Sequence, residues 1–225
     1  MKKTLHFLLY LALYFFSHAT YSNKAAQQET WEEVKYDDGI LVYVMHSDKS
    51  EIVKVKTQTV INASLKKIQA ILDDVPHRSN WIPFLEHSKI LHIFSDTEKL
   101  EHSHFFAPWP ATDRDFLYRI TRLQDDESNI IYHMKSETSP LMPVNDDLIR
   151  AELIESIYTL TALKKNKTHV QLIFFADPKG WLPTWIINII QKALPYMMLQ
   201  NLRELAQGKK EAEPDIYDLD DDIYE

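Results

Sequence analysis

The chain has 225 residues, 45% of them hydrophobic, and a net charge of −8, enough for one sizeable core in one domain. Three glycines (Gly39, Gly180, Gly208) and no cysteine exclude phosphate-cradling glycine loops, thiol catalysis, disulfides, thiolate zinc sites and lipid attachment at a cysteine. The eight acidic residues of Glu211–Glu225 carry the whole net charge, residues 1–210 summing to zero, so nucleic acid is not expected as a partner, lacking a basic surface to meet it.

Lys2 and Lys3 precede the apolar run Leu5–Phe16 and small residues at Ser17 and Ala19, the layout of a secretory signal over residues 1–22. The run is shorter than the roughly 20 apolar residues a spanning helix needs, so a retained anchor is the lesser alternative. The expectation is an exported protein, most simply periplasmic in a bacterium. Residues 23–30 are a polar linker, 31–208 the folded domain, and 209–225 an acidic tail expected to be disordered.

From Trp31 the pattern is that of strands. Ile40, Val42 and Val44 alternate with Leu41, Tyr43 and Met45 after an Asp-Asp-Gly turn, and Ile52 to Val60 form the next strand. Asn62 or Ser64 can cap a helix over Leu65–Val75, with Leu65, Ile68, Ile71 and Leu72 on one stripe and Pro76 ending it. His77–Glu86 reads as a loop or short helix. Strands follow at Ile90–Phe94, Leu100–Phe106, Asp115–Leu123, Ile130–Glu137 and Ile149–Ala162.

Thr168–Ala176 is the last strand, with Thr168, Val170, Leu172 and Phe174 on one face. Asp177-Pro178-Lys179-Gly180 breaks it, and Pro183 opens a long helix. Ile186, Ile189, Ile190, Ala193, Met197, Asn201 and Leu205 recur along that helix at helical spacing, and Pro195 should kink it. Gly208 is its expected terminal residue. Strands, a helix, more strands and a long final helix suit an α+β fold with one curved antiparallel sheet gripping the last helix.

Three stretches carry a family resemblance. Asp177–Asn188, with Gly180-Trp181-Leu182-Pro183 and then a helix reaching Asn201-Leu202-Arg203, is similar to the C-terminal signature of StAR-related lipid-transfer (START) domains. Pro108-Trp109-Pro110-Ala111-Thr112-Asp113-Arg114-Asp115-Phe116 resembles the family's Trp-Pro…Arg-Asp segment, and Leu148–Glu152 its Ile-Arg-Ala strand. The likeness covers about residues 31–206. It implies the helix-grip fold, a cavity between sheet and helix that holds one sterol, ceramide or phospholipid, and a non-enzymatic binding and transfer function.

Ser103, Phe105, Phe116, Tyr118 and Ile120, with the helix face Ile186, Ile189, Ile190, Ala193 and Met197, would line that cavity. Pure core packing would select the same residue types, so the void itself is implied by the resemblance. Ser103 and Arg150 are the candidate polar hooks, Arg150 alternatively pairing with Asp147 or Glu152. Ceramide-transfer members have an acidic residue after the Trp where this chain has Ile82 after Trp81, which argues for a weakly polar lipid.

Trp109 stands between two prolines, in an extended turn without regular hydrogen bonds. Either its ring folds back on the domain or it touches a bilayer. The resemblance implies the second, with the loop as a gate and a membrane surface as a transient partner. Arg114, between Asp113 and Asp115, is expected to make a salt-bridged turn. His102 and His104 share a strand face that should be solvated, and no third or fourth metal ligand is evident beside them. No metal or other cofactor is expected, and the chain should act as a monomer. Two other functions compete. One is an aromatase/cyclase-like enzyme of the same fold, which would need an acid/base pair in the pocket. The other is an interaction module using the acidic tail, with Tyr217 and Tyr224 as anchors.

Overall fold

The computed structural model describes residues 30–47 and 50–209. The expected signal segment and the acidic tail lie outside the described residues, as does the linker apart from Thr30. Among the described residues no helix is long and apolar enough to cross a membrane.

Strands β1 (Glu32–Asp37), β2 (Ile40–Ser47) and β3 (Ser50–Ile61) form an antiparallel meander at one end of a ten-stranded sheet. Helix α1 (Leu65–Asp73) starts where the Ser64 hydroxyl accepts the Lys67 amide at 3.2 Å, which fills one orphan donor of the first turn. A 3₁₀ turn, Val75–Asn80, follows with Pro76 in its first positions. Then β4 (Leu85–Ser95), β5 (Glu98–Phe105), β6 (Arg114–Asp126) and β7 (Asn129–Ser136) run as antiparallel neighbours.

The strand expected over Ile149–Ala162 is two elements. The short β8 (Ile149–Arg150) pairs parallel with β6, while β9 (Glu152–Leu163) pairs antiparallel with β7 and β10 (Lys167–Asp177). The reason is local: β7 leaves β6 at Tyr118, so Arg114 and Asp115 would lose partners that β8 supplies. The final order is β1-β2-β3-β10-β9-β7-β6-β5-β4. Register shifts interrupt both outer strands, once in β1 between Glu33 and Lys35 and three times in β4.

The last helix comes in pieces: α2 (Thr184–Asn188), a π turn (Ile189–Ala193) and α3 (Leu194–Ala206). Pro195 sits in the first turn of α3, so its missing N–H falls directly after the π turn. The expected kink thus takes the form of a widened turn. Gly208, at φ +74°, ends the helix, with its amide on the Leu205 carbonyl and that of Lys209 on Glu204, at 3.1 and 2.9 Å. That pair of bonds is a Schellman motif.

The sheet curves around this helix in the α+β helix-grip arrangement. Its firmest contact is α3: Leu199 and Leu202 are fully buried in a core with Ile40, Val55, Ile68, Leu160 and Leu172, each worth about 1.5–3 kcal/mol of transfer free energy. Polar ties add to it. Asn201 donates to the Trp81 carbonyl at 3.0 Å, Tyr196 to Asp37 at 2.7 Å, and Arg203 pairs with Asp38. The α2 and π segments lie beyond this core, over the space described next.

Candidate functional site

Alternation along β5 and β6 turns Glu101, Ser103, Phe105, Phe116, Tyr118 and Ile120 toward the helix. Met134, Leu153, Ser156, Tyr158, Phe174 and Ala176 continue that wall from β7, β9 and β10, and Ile186, Ile190, Leu194 and Met198 face it from the helix. Between them lies a cavity. It encloses about 140 Å³ and opens to solvent at its mouth, so it is smaller than the roughly 300–1,000 Å³ of small-molecule sites and must widen to take a whole lipid.

The inner end is polar. Arg78, from the 3₁₀ turn, reaches Glu101 Oε2 at 2.6 Å and the Tyr118 hydroxyl at 3.3 Å, and donates to the Leu72 carbonyl through Nε and a terminal nitrogen at 3.2 and 2.8 Å. Ser103 lies 2.8 Å from the Tyr118 hydroxyl and 2.7 Å from Ser88. All five side chains are buried. Glu101 Oε1 and the Tyr158 hydroxyl are buried without a hydrogen-bond partner among the described residues. Such orphans cost free energy until something satisfies them.

The mouth is framed by two loops that Arg114 holds together. Its guanidinium is buried and donates to the carbonyls of Thr112 on one side and of Pro178, Lys179 and Trp181 on the other, the last at 3.1 Å. It clasps backbone carbonyls, where an ion pair with Asp113 or Asp115 was expected. Trp109 projects from one loop at 89% exposure and Trp181 from the other at 67%. Neither folds back on the domain. The Trp109 loop is not free of backbone bonds: Ala111 N–H meets the Pro108 carbonyl at 3.0 Å across a cis Trp109–Pro110 peptide, a type VI turn.

The fold, the cavity and both loops coincide with one family, whose pattern matches residues 17–211. The chain belongs to the START domain family. An uncharacterised protein of Pseudomonas aeruginosa is 26% identical over 184 residues, 82% of this chain and 90% of that protein. Phosphatidylcholine transfer protein of Mus musculus is 23% identical over 162 residues, 70% of this chain and 75% of that one. Among solved structures, a STAR-related lipid transfer protein fragment from Xanthomonas axonopodis superposes with a TM-score of 0.69 at 23% identity, covering 79% of this chain and 98% of the fragment.

Most of the expected lining of this START domain is in place. Ser103, Phe105, Phe116, Tyr118, Ile120, Ile186, Ile189 and Ile190 all border the cavity. Three expected residues do not. Ala193 and Met197 are displaced by Leu194 and Met198, because a π turn closes i→i+5 and delays the facing positions by one residue. Met197 packs against the α3 core instead. Arg150 sits on the other face of the sheet, with Asp115 accepting its Nε and a terminal nitrogen at 2.9 and 2.8 Å, rather than Asp147 or Glu152.

That outer face is not solvated as expected. His102 is 2% exposed and bonds Asp115 through Nε2 at 3.0 Å. Burial would raise the Asp115 carboxyl, but Arg150 and His102 outweigh it and hold the group below its usual range. Burial also pulls the His102 imidazole down, against the pull of Asp115.

Arg78, Glu101 and Tyr158 were missed by sequence reasoning. A signal for Glu101 existed: period-2 alternation puts it on the face of Ser103 and Phe105, where a carboxylate needs a cation.

Burial pushes the Tyr118 phenol up to about 12, Glu101 adding to the shift and Arg78 opposing it. A folded value above the ordinary 10 gives stability that is present below pH 10 and lost as pH rises through about 12. Denaturant titrations should show unfolding free energy falling across that window, and Tyr118→Phe should remove about 2–3 kcal/mol of the fall. Equal slopes in both proteins would contradict the burial.

Proposed function

We propose that this START domain binds a single lipid in the cavity and exchanges it between membranes without chemical change. The observation that carries the reading is an apolar cavity with a polar inner end, where the buried Tyr158 hydroxyl has no partner among the described residues, and with exposed tryptophans at its mouth. Apolar surface drives entry, at roughly 25 cal/mol per Å² buried. The inner cluster orients the ligand. Arg78 and Glu101 cancel in charge, so the cluster favours a polar group that is neutral overall: a hydroxyl, an ester or a zwitterion. The name of the mouse relative, a phosphatidylcholine transfer protein, supports a zwitterionic phospholipid in place of the weakly polar lipid expected from Ile82.

Trp109 and Trp181 are the membrane-touching residues in this reading, and the Arg114 clasp is the latch that must loosen for exchange. An acid/base enzyme finds less support, because a phenol held near 12 is poorly matched to proton transfer at neutral pH. Export through residues 1–22 completes the proposal.

Native mass spectrometry of the purified protein, followed by extraction of any bound molecule, tests it. One lipid per chain is the expected result. A protein that is empty and also takes up no fluorescent phosphatidylcholine from vesicles would sink the reading. In the same vesicle assay Trp109→Ala and Trp181→Ala should each slow transfer several-fold while leaving occupancy at one.

A further inference from the structure

The outer face of β4 and β5 carries a cluster that the lipid site does not use. His87 and His104 are cross-strand partners with ring centroids 5.2 Å apart. The register of β4 slips between Leu85 and His87, so two consecutive residues, Glu86 and His87, turn outward together. One donor atom each from Glu86, His87 and His104 lies within 4.8 Å of the others.

The orientation of His104 adds to this. Its Nε2 faces Asp113 Oδ2 at 3.1 Å, and its Nδ1 faces Glu86 Oε2 at 3.4 Å. The Nε2 contact is a hydrogen bond in which Nε2 donates to Asp113, which leaves Nδ1 as the nitrogen turned toward the cluster; a metal ion there takes the place of any proton shared with Glu86. A carboxylate behind a histidine that fixes which nitrogen is free is the usual support of a metal-bound imidazole. Asp113 is held in turn by the Ala107 amide at 2.9 Å.

We propose that Glu86, His87 and His104 form a site for a zinc-class divalent ion, with Asp113 as the positioning residue behind His104. Two imidazoles and one carboxylate are borderline donors that suit Zn²⁺ and Co²⁺, leaving a fourth position for water. A tetrahedral ion with bonds of about 2.0–2.1 Å needs its donors closer than in the metal-free cluster. Glu86 and His87 are exposed side chains on a sheet edge and can swing inward. The site is separate from the lipid cavity, on the opposite face of β5.

The test is a zinc titration of the full chain, free of affinity tags and stripped with chelator, in competition with a chromophoric chelator. Co²⁺ absorption reads the coordination geometry. One zinc per chain is expected, with His87→Ala and His104→Ala each weakening it at least about tenfold and Asp113→Asn about 10–100-fold. His92→Ala, further along β4, should leave affinity unchanged. Failure to bind zinc, or binding that the double variant His87→Ala/His104→Ala leaves intact, would overturn the proposal, the second result placing the ion elsewhere on the chain.

Discussion

Replacing Glu101 with alanine is expected to lower the unfolding free energy by about 3–5 kcal/mol. The substitution leaves Arg78 buried, with only the Leu72 carbonyl and the Tyr118 hydroxyl to solvate its charge. An uncompensated cation in such surroundings is far costlier than the pair is worth. For a chain of this size the loss corresponds to a melting shift on the order of 10 °C. The paired variant Arg78→Met/Glu101→Leu should recover most of it, since replacing both charges removes the desolvation term along with the attraction. Urea unfolding of the three proteins decides the matter. A loss under about 1 kcal/mol for Glu101→Ala would mean that water reaches the pair through the cavity.

Ser156→Trp should abolish lipid binding while leaving the fold intact. Ser156 is buried on β9 and borders the cavity between Leu153 and Tyr158. In a close-packed core an added ring of this size would cost about 1–3 kcal/mol or more through strain. Here it has empty space to enter, so the melting temperature should hold or rise. Bound lipid per chain should fall from one to near zero by native mass spectrometry. Ile190→Phe, from the helix side, provides a second obstruction should the first protein fold poorly. A fully occupied Ser156→Trp with unchanged circular dichroism would place the lipid outside this cavity.

The sequence made the sheet wall and the final helix legible because both follow simple periods. Alternation marks Phe116, Tyr118 and Ile120, and the three-and-four spacing marks Ile186, Ile189 and Ile190. What stayed hidden lies where a period breaks. The π turn moves the cavity face from Met197 to Met198. The slip in β4 reverses the parity of His87, so no strand alternation could join it to His104. Arg150 looked paired with its sequence neighbours, yet its partner Asp115 is 35 residues away and comes alongside only through the parallel β6–β8 contact. Arg78 could not be found from pattern alone, because a 3₁₀ turn has no long apolar stripe to say which way its side chains face.

The interruptions in β1 and β4 bear on how copies of this chain behave toward one another. A sheet with two outer strands offers two rows of backbone donors and acceptors, and a second molecule extends such a row only where the spacing is regular over several residues. Along β4 the shifts at Leu85/His87, Ile90/His92 and Ile93/Ser95 leave short regular runs, and β1 is broken between Glu33 and Lys35. Charges at Glu32, Glu33, Lys35 and Asp37 on one edge and at Glu86 and Lys89 on the other add repulsion and hydration. Edge-to-edge growth into oligomers or fibrils is therefore disfavoured at both ends of the sheet, even with the Trp109 and Trp181 indoles bare on the same molecule.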